Sequence, residues 1–264
     1  MILDQILRHK EKEVRLLRKK KPLPLLKKEV ARLPVRKNRF LASLKKAREI
    51  AVIAEIKRCS PSRGLLCKNF NPVKIALDYQ RSGARALSIL TDRKYFGGSV
   101  EILKKVKKAS SLPILRKDFT IDEYQIYESK LMGADAVLLI VRVLSPQKLR
   151  HFYFLAKKLG LETLFEIHNA SDLRKALPLR PRLIGINNRD LASFRVNLEV
   201  TRRLAPHVPK RCVLVSESGI SDVRDIAKLK KSGVRAVLVG EALMKYKRPG
   251  QALKRLLGIT HGSR

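Results

Sequence analysis

Residues 50–64 read IAVIAEIKRCSPSRG, an apolar run that carries Glu55 near its end and Lys57 two places on. A run this short and this apolar forms a strand buried on both faces. Side chains alternate along a strand, so Glu55 and Lys57 share one face, opposite Ile56. Ser60, Pro61, Ser62 and Gly64 then break the strand into a loop. A carboxylate and an ammonium at a buried strand end are costly unless they pair or do chemistry. One such strand leaves a structural ion pair and a reactive site equally open. The other strand ends decide between them.

Working outward, a strand-helix unit repeats through the chain. Strands are predicted at 50–57, 86–91, 113–118, 136–143, 162–168, 183–188, 213–217 and 236–240. Helical patterns follow at 72–82, 99–109, 122–132, 145–159, 170–177, 199–205, 221–232 and 249–257. Several open on a cap or a first-turn proline, as at Asn71-Pro72, Ser145-Pro146 and Ser221-Asp222. Several close on glycine, as at Gly83, Gly133, Gly160 and Gly233. Alternation of this kind implies a parallel sheet, and eight units is the number that closes a (β/α)8 barrel of the TIM type. A doubly wound open sheet is the alternative, but it usually carries a glycine-rich fingerprint after its first strand, and SPSRG is not one. The expected fold class is therefore α/β, a single barrel domain over 49–264 preceded by an N-terminal helical extension over 1–48. In the extension Ile2, Leu3, Ile6, Leu7, Val14, Leu16 and Leu17 form an apolar stripe among basic residues, Pro22 and Pro24 interrupt it, and Phe40, Leu41 and Leu44 mark a further short helix.

Composition bounds the function. Nothing in the 264 residues resembles an uncharged membrane span or a secretory leader. Cys59, Cys67 and Cys212 lack metal-type spacing and an even count, which fits a reducing cytoplasm. Cys59 has no activating base beside it in sequence and reads as a bystander. The net charge of +36 is unusual. Residues 1–48 hold 17 basic residues against 4 acidic ones, and the remainder is spread along the chain. With aromatics at 5% and no Trp, a base-stacking platform is not indicated. The charge reads as a solvated basic surface that draws anionic substrates to a cleft and binds nucleic acid weakly and without specificity. No hydrophobic heptad or partner strip is visible, so the expected state is a monomer.

In such a barrel the chemistry sits where strands end and loops begin. The second strand ends in Thr91-Asp92, followed by Tyr95, Phe96 and Gly97-Gly98-Ser99; the third ends in Arg116-Lys117-Asp118-Phe119. The fifth ends in Glu166 and His168, the sixth in Asn187-Asn188-Arg189-Asp190, the seventh in Ser216-Glu217-Ser218-Gly219 and the eighth in Gly240-Glu241. Polar groups gathered repeatedly at one end outweigh the structural reading. Gly219 and Gly240, after strands seven and eight, permit close backbone approach and lead toward helix starts, which favours a phosphate. Lys57, Lys117, Glu55, Glu166 and Glu217 would then face one cavity. Such a set can separate pKa values into an acid and a base, or activate a lysine as a nucleophile. His168 shares a face with Glu166 but reads as a structural strand-end histidine. Tyr95, Phe96 and Phe119 suit either core packing or the walls of a site for a planar group.

The segments ILDQIL, AEIKRCSPSRG, SILTDRKYFGGS, PILRKDFTIDEYQIYES, GADAVLLI, GLETLFEIH, GINNRDL, VSESGI and VGEALM occur in this order and span essentially the whole chain. Together they resemble the indole-3-glycerol phosphate synthases of tryptophan biosynthesis. The resemblance implies a small phosphorylated substrate, 1-(2-carboxyphenylamino)-1-deoxyribulose 5-phosphate, which loses carbon dioxide and water on closing to indole-3-glycerol phosphate. It implies no metal and no organic cofactor. Lys117 matches the general acid, Glu166 the base of the later dehydration, and Lys57 the lysine beside the anthranilate carboxylate, for which a share in the dehydration has also been proposed. Glu55 would orient the lysines, while Asn187, Arg189 and Glu217 position the intermediate. Ser60, Ser218, Gly219, Gly240 and Glu241 fall on or beside phosphate positions, and Phe96, Phe119, Leu191 and Leu238 on ring-binding ones. Cys59 stands where a small residue is more usual. Arg142 falls at the end of the fourth strand, where it either tightens anion binding or faces solvent. A phosphoribosylanthranilate isomerase lacks the extension and the AEIKR-SPS pattern, a class I aldolase would use its lysine as a Schiff base, and a basic RNA-associated barrel would have no need of the site.

Overall fold

The computed structural model describes residues 2–35, 39–190 and 193–259. Eight parallel strands close into a barrel: β1 (Ala51–Ile56), β2 (Ala86–Leu90), β3 (Ile114–Lys117), β4 (Ala136–Ile140), β5 (Glu162–Ile167), β6 (Leu183–Asn187), β7 (Val213–Glu217) and β8 (Ala236–Val239). Each strand pairs with its neighbour in the chain, and the ring closes where Ala51 to Ala54 lie opposite Ala236 to Val239. The period of two sorts β1 as its sequence implies. Val52, Ala54 and Ile56 pack outward on the helix layer. Ala51 and Ile53 point into the barrel interior, and Glu55 follows them on that face.

The two ends of the barrel are closed differently. Helix α3 (Arg39–Lys45) drives Phe40, Leu41 and Leu44 against Ala51, Ala86, Ala136, Leu183, Val213 and Ala236, which are the first residues of their strands or close to it. This apolar plug seals the N-terminal mouth, and each such side chain removed from water contributes about 1.5–3 kcal/mol. Helix α1 (Ile2–Lys20) lies at the opposite mouth, where Ile2, Leu3 and Ile6 line the cavity described below. Helix α2 (Leu23–Ala31) follows, and Val14, Leu26 and Tyr124 form a small satellite core under both.

The outer helices keep the predicted order: α4 (Pro72–Arg81), α6 (Val100–Ala109), α7 (Glu123–Leu131), α8 (Pro146–Lys158), α9 (Ala170–Ala176), α10 (Glu199–Leu204), α11 (Val223–Lys231) and α13 (Pro249–Leu256). Two short helices were not anticipated. One, α5 (Arg93–Phe96), starts on Asp92, whose carboxylate accepts the Tyr95 N–H at 2.8 Å, and stops at Gly97 with φ +63. The other, α12 (Glu241–Met244), directly follows β8. The SPSRG stretch is more ordered than a plain loop, since Cys59–Ser60 and Gly64–Leu65 form a small antiparallel ladder. The fourth strand, expected over 136–143, stops at Ile140, and Val141–Val143 turn into a 3-10 coil. There the Lys175 ammonium donates to the carbonyls of Val141 (2.9 Å) and Leu144, which a continuing ladder would not leave free. Arg142 on this turn faces solvent.

The expected stripe on α1 is also different. Ile6 and Val14 are buried, Leu16 is exposed, and the residue between them on the buried face is Lys10. Its side chain is 1% exposed, and its ammonium lies 2.7 Å from Glu13, 3.1 Å from Asp92 and 2.9 Å from Asp118. Arg116 extends the cluster to Asp118 at 3.1 Å and Glu128 at 2.8 Å. Burial works against the Asp118 carboxylate, but Lys10 and Arg116 outweigh it and lower its pKa from 3.8 to about 2. The resulting stability is present above pH 3.8 and lost as pH falls toward 2. Lys10→Met leaves two buried carboxylates without this partner and should cost about 3–5 kcal/mol in a urea titration at neutral pH. The acid-unfolding midpoint should move to higher pH in the same variant.

Candidate active site

Alternation along the strands decides which polar strand ends do chemistry. On β3, Leu115 and Lys117 point inward, whereas Arg116 turns outward to the Gln125 carbonyl and the Ser129 hydroxyl of α7. Thr91 donates to Asp118 at 2.6 Å, and Asp92 joins the Lys10 cluster. Asn188 donates to Ser216 Oγ and to the carbonyls of Glu217 and Ser218, so it holds the β7 turn. Of these residues Asp118 touches the cavity wall, and the others frame the site without lining it.

The inward set converges on a cavity of about 970 Å³ at the C-terminal mouth. It is lined by Glu55, Lys57, Ser60, Phe96, Lys117, Phe119, Glu166, Asn187, Arg189, Glu217, Ser218, Gly219, Leu238, Gly240 and Glu241. Leu191 lies outside the described residues. At its centre Lys117 Nζ sits 3.0 Å from Glu166 Oε2 and 3.5 Å from Glu217 Oε2, while Lys57 Nζ pairs with Glu55 Oε1 at 2.8 Å. Burial opposes the Lys117 charge, but Glu166, Glu217 and Glu55 outweigh it and hold the ammonium above the ordinary lysine range. This favours a proton donor over a nucleophile, which needs the opposite shift.

The three carboxyls are unequal. Burial raises both Glu55 and Glu166, yet each ends below its usual value, Glu55 through Lys57 and Lys117, Glu166 through Lys117 and His168. Glu217 goes the other way, to about 8, through burial and the carboxylates of Glu166 and Glu55, against the pull of Lys117. Lys117 at 3.5 Å faces Glu217 Oε2 without reaching hydrogen-bond geometry, and no other described residue bonds either Glu217 oxygen. Burial and its carboxylate neighbours thus favour the neutral form of Glu217, while the lysines favour the ionised forms of Glu55 and Glu166.

Two inward positions carry no side chain, and each makes room for a carboxyl. A methyl at Gly185 on β6 would come 2.1 Å from Glu217 Oε1, and one at Gly240 would come 2.5 Å from Glu55 Oε1. Gly240 was expected to admit a ligand's phosphate; its first neighbour is the Glu55 side chain. At the β7 end, Ser218 and Gly219 have φ of +67 and +81, and a methyl at Gly219 would strike Val196. Ser218 is a non-glycine residue in the left-handed region, a strain often found at functional turns.

Arg189 links the loops over the mouth. It reaches Glu241 Oε2 at 2.8 Å and Ser62 Oγ at 3.2 Å, and Arg63 meets the other Glu241 oxygen at 2.8 Å. The rings of Phe96 and Phe119 stand 6.2 Å apart, and Leu238 lines the same cavity. Cys59 contacts the Tyr95 carbonyl, and burial pushes its thiol pKa up, as suits an inert thiol. Sequence reasoning missed Ile2, Leu3, Ile6, Arg63, Phe194, Val196 and Lys245 in the lining. Only Arg63, inside the quoted loop, carried a usable signal. No group of three or more His, Cys, Asp or Glu among the described residues is arranged to hold a metal ion.

A family model described as indole-3-glycerol phosphate synthase matches residues 3–256. The chain belongs to the indole-3-glycerol phosphate synthase family. Relatives named indole-3-glycerol phosphate synthase include one from Dehalococcoides mccartyi (strain CBDB1), 46% identical over 92% of this chain and 95% of that protein. Another, from Thermoanaerobacter pseudethanolicus, is 47% identical over 93% of each. A third, from Legionella pneumophila (strain Paris), is 44% identical over 97% of this chain and 98% of its own length. The barrel also resembles the solved N-acetylmannosamine-6-phosphate 2-epimerase of Clostridium perfringens, with a TM-score of 0.59 over 80% of this chain and 93% of that one. At 16% identity that likeness concerns the fold alone. In this indole-3-glycerol phosphate synthase family member, a protonated-carboxyl infrared band should be present at neutral pH, fade as pH rises through about 8, and vanish in Glu217→Gln.

Proposed function

We propose that the cavity closes 1-(2-carboxyphenylamino)-1-deoxyribulose 5-phosphate to indole-3-glycerol phosphate by general acid-base catalysis. The observation that carries this reading is Lys117, kept protonated between Glu166 and Glu217 in a cavity large enough for a phosphorylated bicyclic product. Lys117 protonates the ribulose carbonyl oxygen as the aromatic carbon attacks. Carbon dioxide then leaves and restores the aromatic ring. Glu166, ionised by its neighbours, takes the proton lost from the substrate in the dehydration, and the hydroxyl departs as water with a proton given by Lys57. Lys57 faces the substrate carboxylate and Glu55 orients it. Asn187 and Arg189 fix the intermediate, and the neutral Glu217 carboxyl offers a hydrogen bond without adding negative charge.

The backbone at Ser218-Gly219 and Gly240-Glu241, with Ser60, holds the phosphate, and the Glu241 carboxylate fixes Arg63 and Arg189 at its edge. Phe96, Phe119 and Leu238 clamp the aromatic ring, with Leu191 as a further member by family position. The functional unit is one barrel over 49–264 with its 1–48 extension, acting as a cytoplasmic monomer on a small molecule. Among the described residues no helix is long and apolar enough to cross a membrane.

The test is the rise of indole fluorescence on adding the substrate. Wild type should produce it, and Lys117→Ala should lower the rate by about two to four orders of magnitude, as expected for loss of a positioned acid. A wild type that gives no rise defeats the reading. Borohydride with substrate should trap no adduct, and a covalent product on Lys117 would replace acid catalysis with Schiff-base chemistry.

A further inference from the structure

His168 was expected to be a structural strand-end histidine, and its surroundings give it more to do. Its side chain is 6% exposed and lies between two carboxylates. Nε2 is 3.5 Å from Glu166 Oε1, and Nδ1 is 3.6 Å from Asp172 Oδ2. Neither ring nitrogen lies within hydrogen-bond geometry of any described residue. A buried imidazole left this way is costly, and both carboxylates need to approach only a few tenths of an ångström to bond it.

Capping does not explain the ring. The tie between this strand end and α9 is made by the His168 backbone N–H, which donates to Asp172 Oδ2 at 2.9 Å. Asp172 is fixed in turn because its own N–H donates to the Asn169 side chain at 2.9 Å. Any residue except proline at 168 keeps both bonds. What only the imidazole supplies is a donor facing Glu166 Oε1, the oxygen turned away from Lys117.

We propose that His168 is a positioning residue for Glu166, holding Oε1 in place so that Oε2 stays aimed at Lys117 and the substrate. The proposal rests on the assignment of Glu166 as the dehydration base. The charged and titratable groups around this arrangement are Glu166 of β5, Asp172 of α9, Lys117 of β3 on the far Glu166 oxygen, Glu217 of β7 and Glu55 of β1, which both feel the Glu166 charge, and Arg142 of the turn after β4, whose charge reaches Asp172. Asn187 of β6 also bonds Glu166. The nearby His168 favours the ionised form of Glu166. A base that must be ionised to act therefore works down to lower pH with the imidazole present than without it.

The experiment compares His168→Leu, His168→Gln and His168→Asn in the fluorescence assay, with thermal midpoints measured alongside. His168→Leu should lower kcat by about 10- to 100-fold, since a misplacement of order 1 Å costs up to that much. Its KM should stay within about twofold, and the acid limb of its kcat profile should move to higher pH. Gln places an amide nitrogen near the Nε2 position and should restore most of kcat. Asn reaches only the Nδ1 position and should not. Rescue by Asn but not Gln, rescue by neither with an unmoved acid limb, or a Leu variant of unchanged kcat would each overturn the proposal. Because wild-type turnover is measured in the same series, failure of the assigned reaction shows separately as wild type without product.

Discussion

Everything at the C-terminal mouth depends on keeping two lysines and three glutamates together in a buried space. Separately each charge would cost several kcal/mol to take out of water. Together they are tolerable because Lys117 reaches two carboxyls, Lys57 answers the third, and Glu217 gives up its charge. That division also sets a proton donor, Lys117, and a proton acceptor, Glu166, within one hydrogen-bonding distance. Close quarters explain the two bare positions. Gly185 and Gly240 lie where a barrel normally places a space-filling side chain, and the carboxyls of Glu217 and Glu55 occupy that space instead.

The same physics is used twice for different ends. Inward, charge is grouped where a ligand can meet it. Outward and one residue along, Arg116, Asp118 and Asp92 form a second cluster that binds α1 through Lys10. The neighbours Lys117 and Asp118 thus belong to different assemblies, separated only by the strand's period of two. The apolar plug of α3 at the opposite mouth leaves the barrel with one stabilised end and one chemically active end.

Much of this was legible in the chain. Parity alone placed Glu55 and Lys57 on one face, and the same rule applied to LRKDF puts Lys117 inside and Arg116 outside. Every residue given a site role by family position lines one cavity, Leu191 outside the described segments aside, because the motifs sit at strand ends and a closed barrel brings strand ends together; Tyr95, offered beside Phe96 as a wall, is not in the lining. What failed to show were features set by distant partners. Lys10 interrupts an apolar stripe and looks like a solvated residue until Asp92 and Asp118 are brought over it from far along the chain. The early end of β4 depends on Lys175, from a helix beyond the next strand. Gly185 reads as an ordinary strand glycine, since the Glu217 carboxyl that needs its space arrives only at the end of the next strand, β7.

The Lys10 anchor also imposes an order of assembly. Helix α1 is made well before the residues that hold it: Asp118, Asp122 and Tyr124, which meet it at Lys10, Arg18 and Leu17, lie roughly a hundred residues behind, a delay of about 5–20 s at ordinary translation rates. For that interval α1 is a basic amphipathic segment without its acidic partners. The active site's roof thus waits, already made, for the strand end that will hold it.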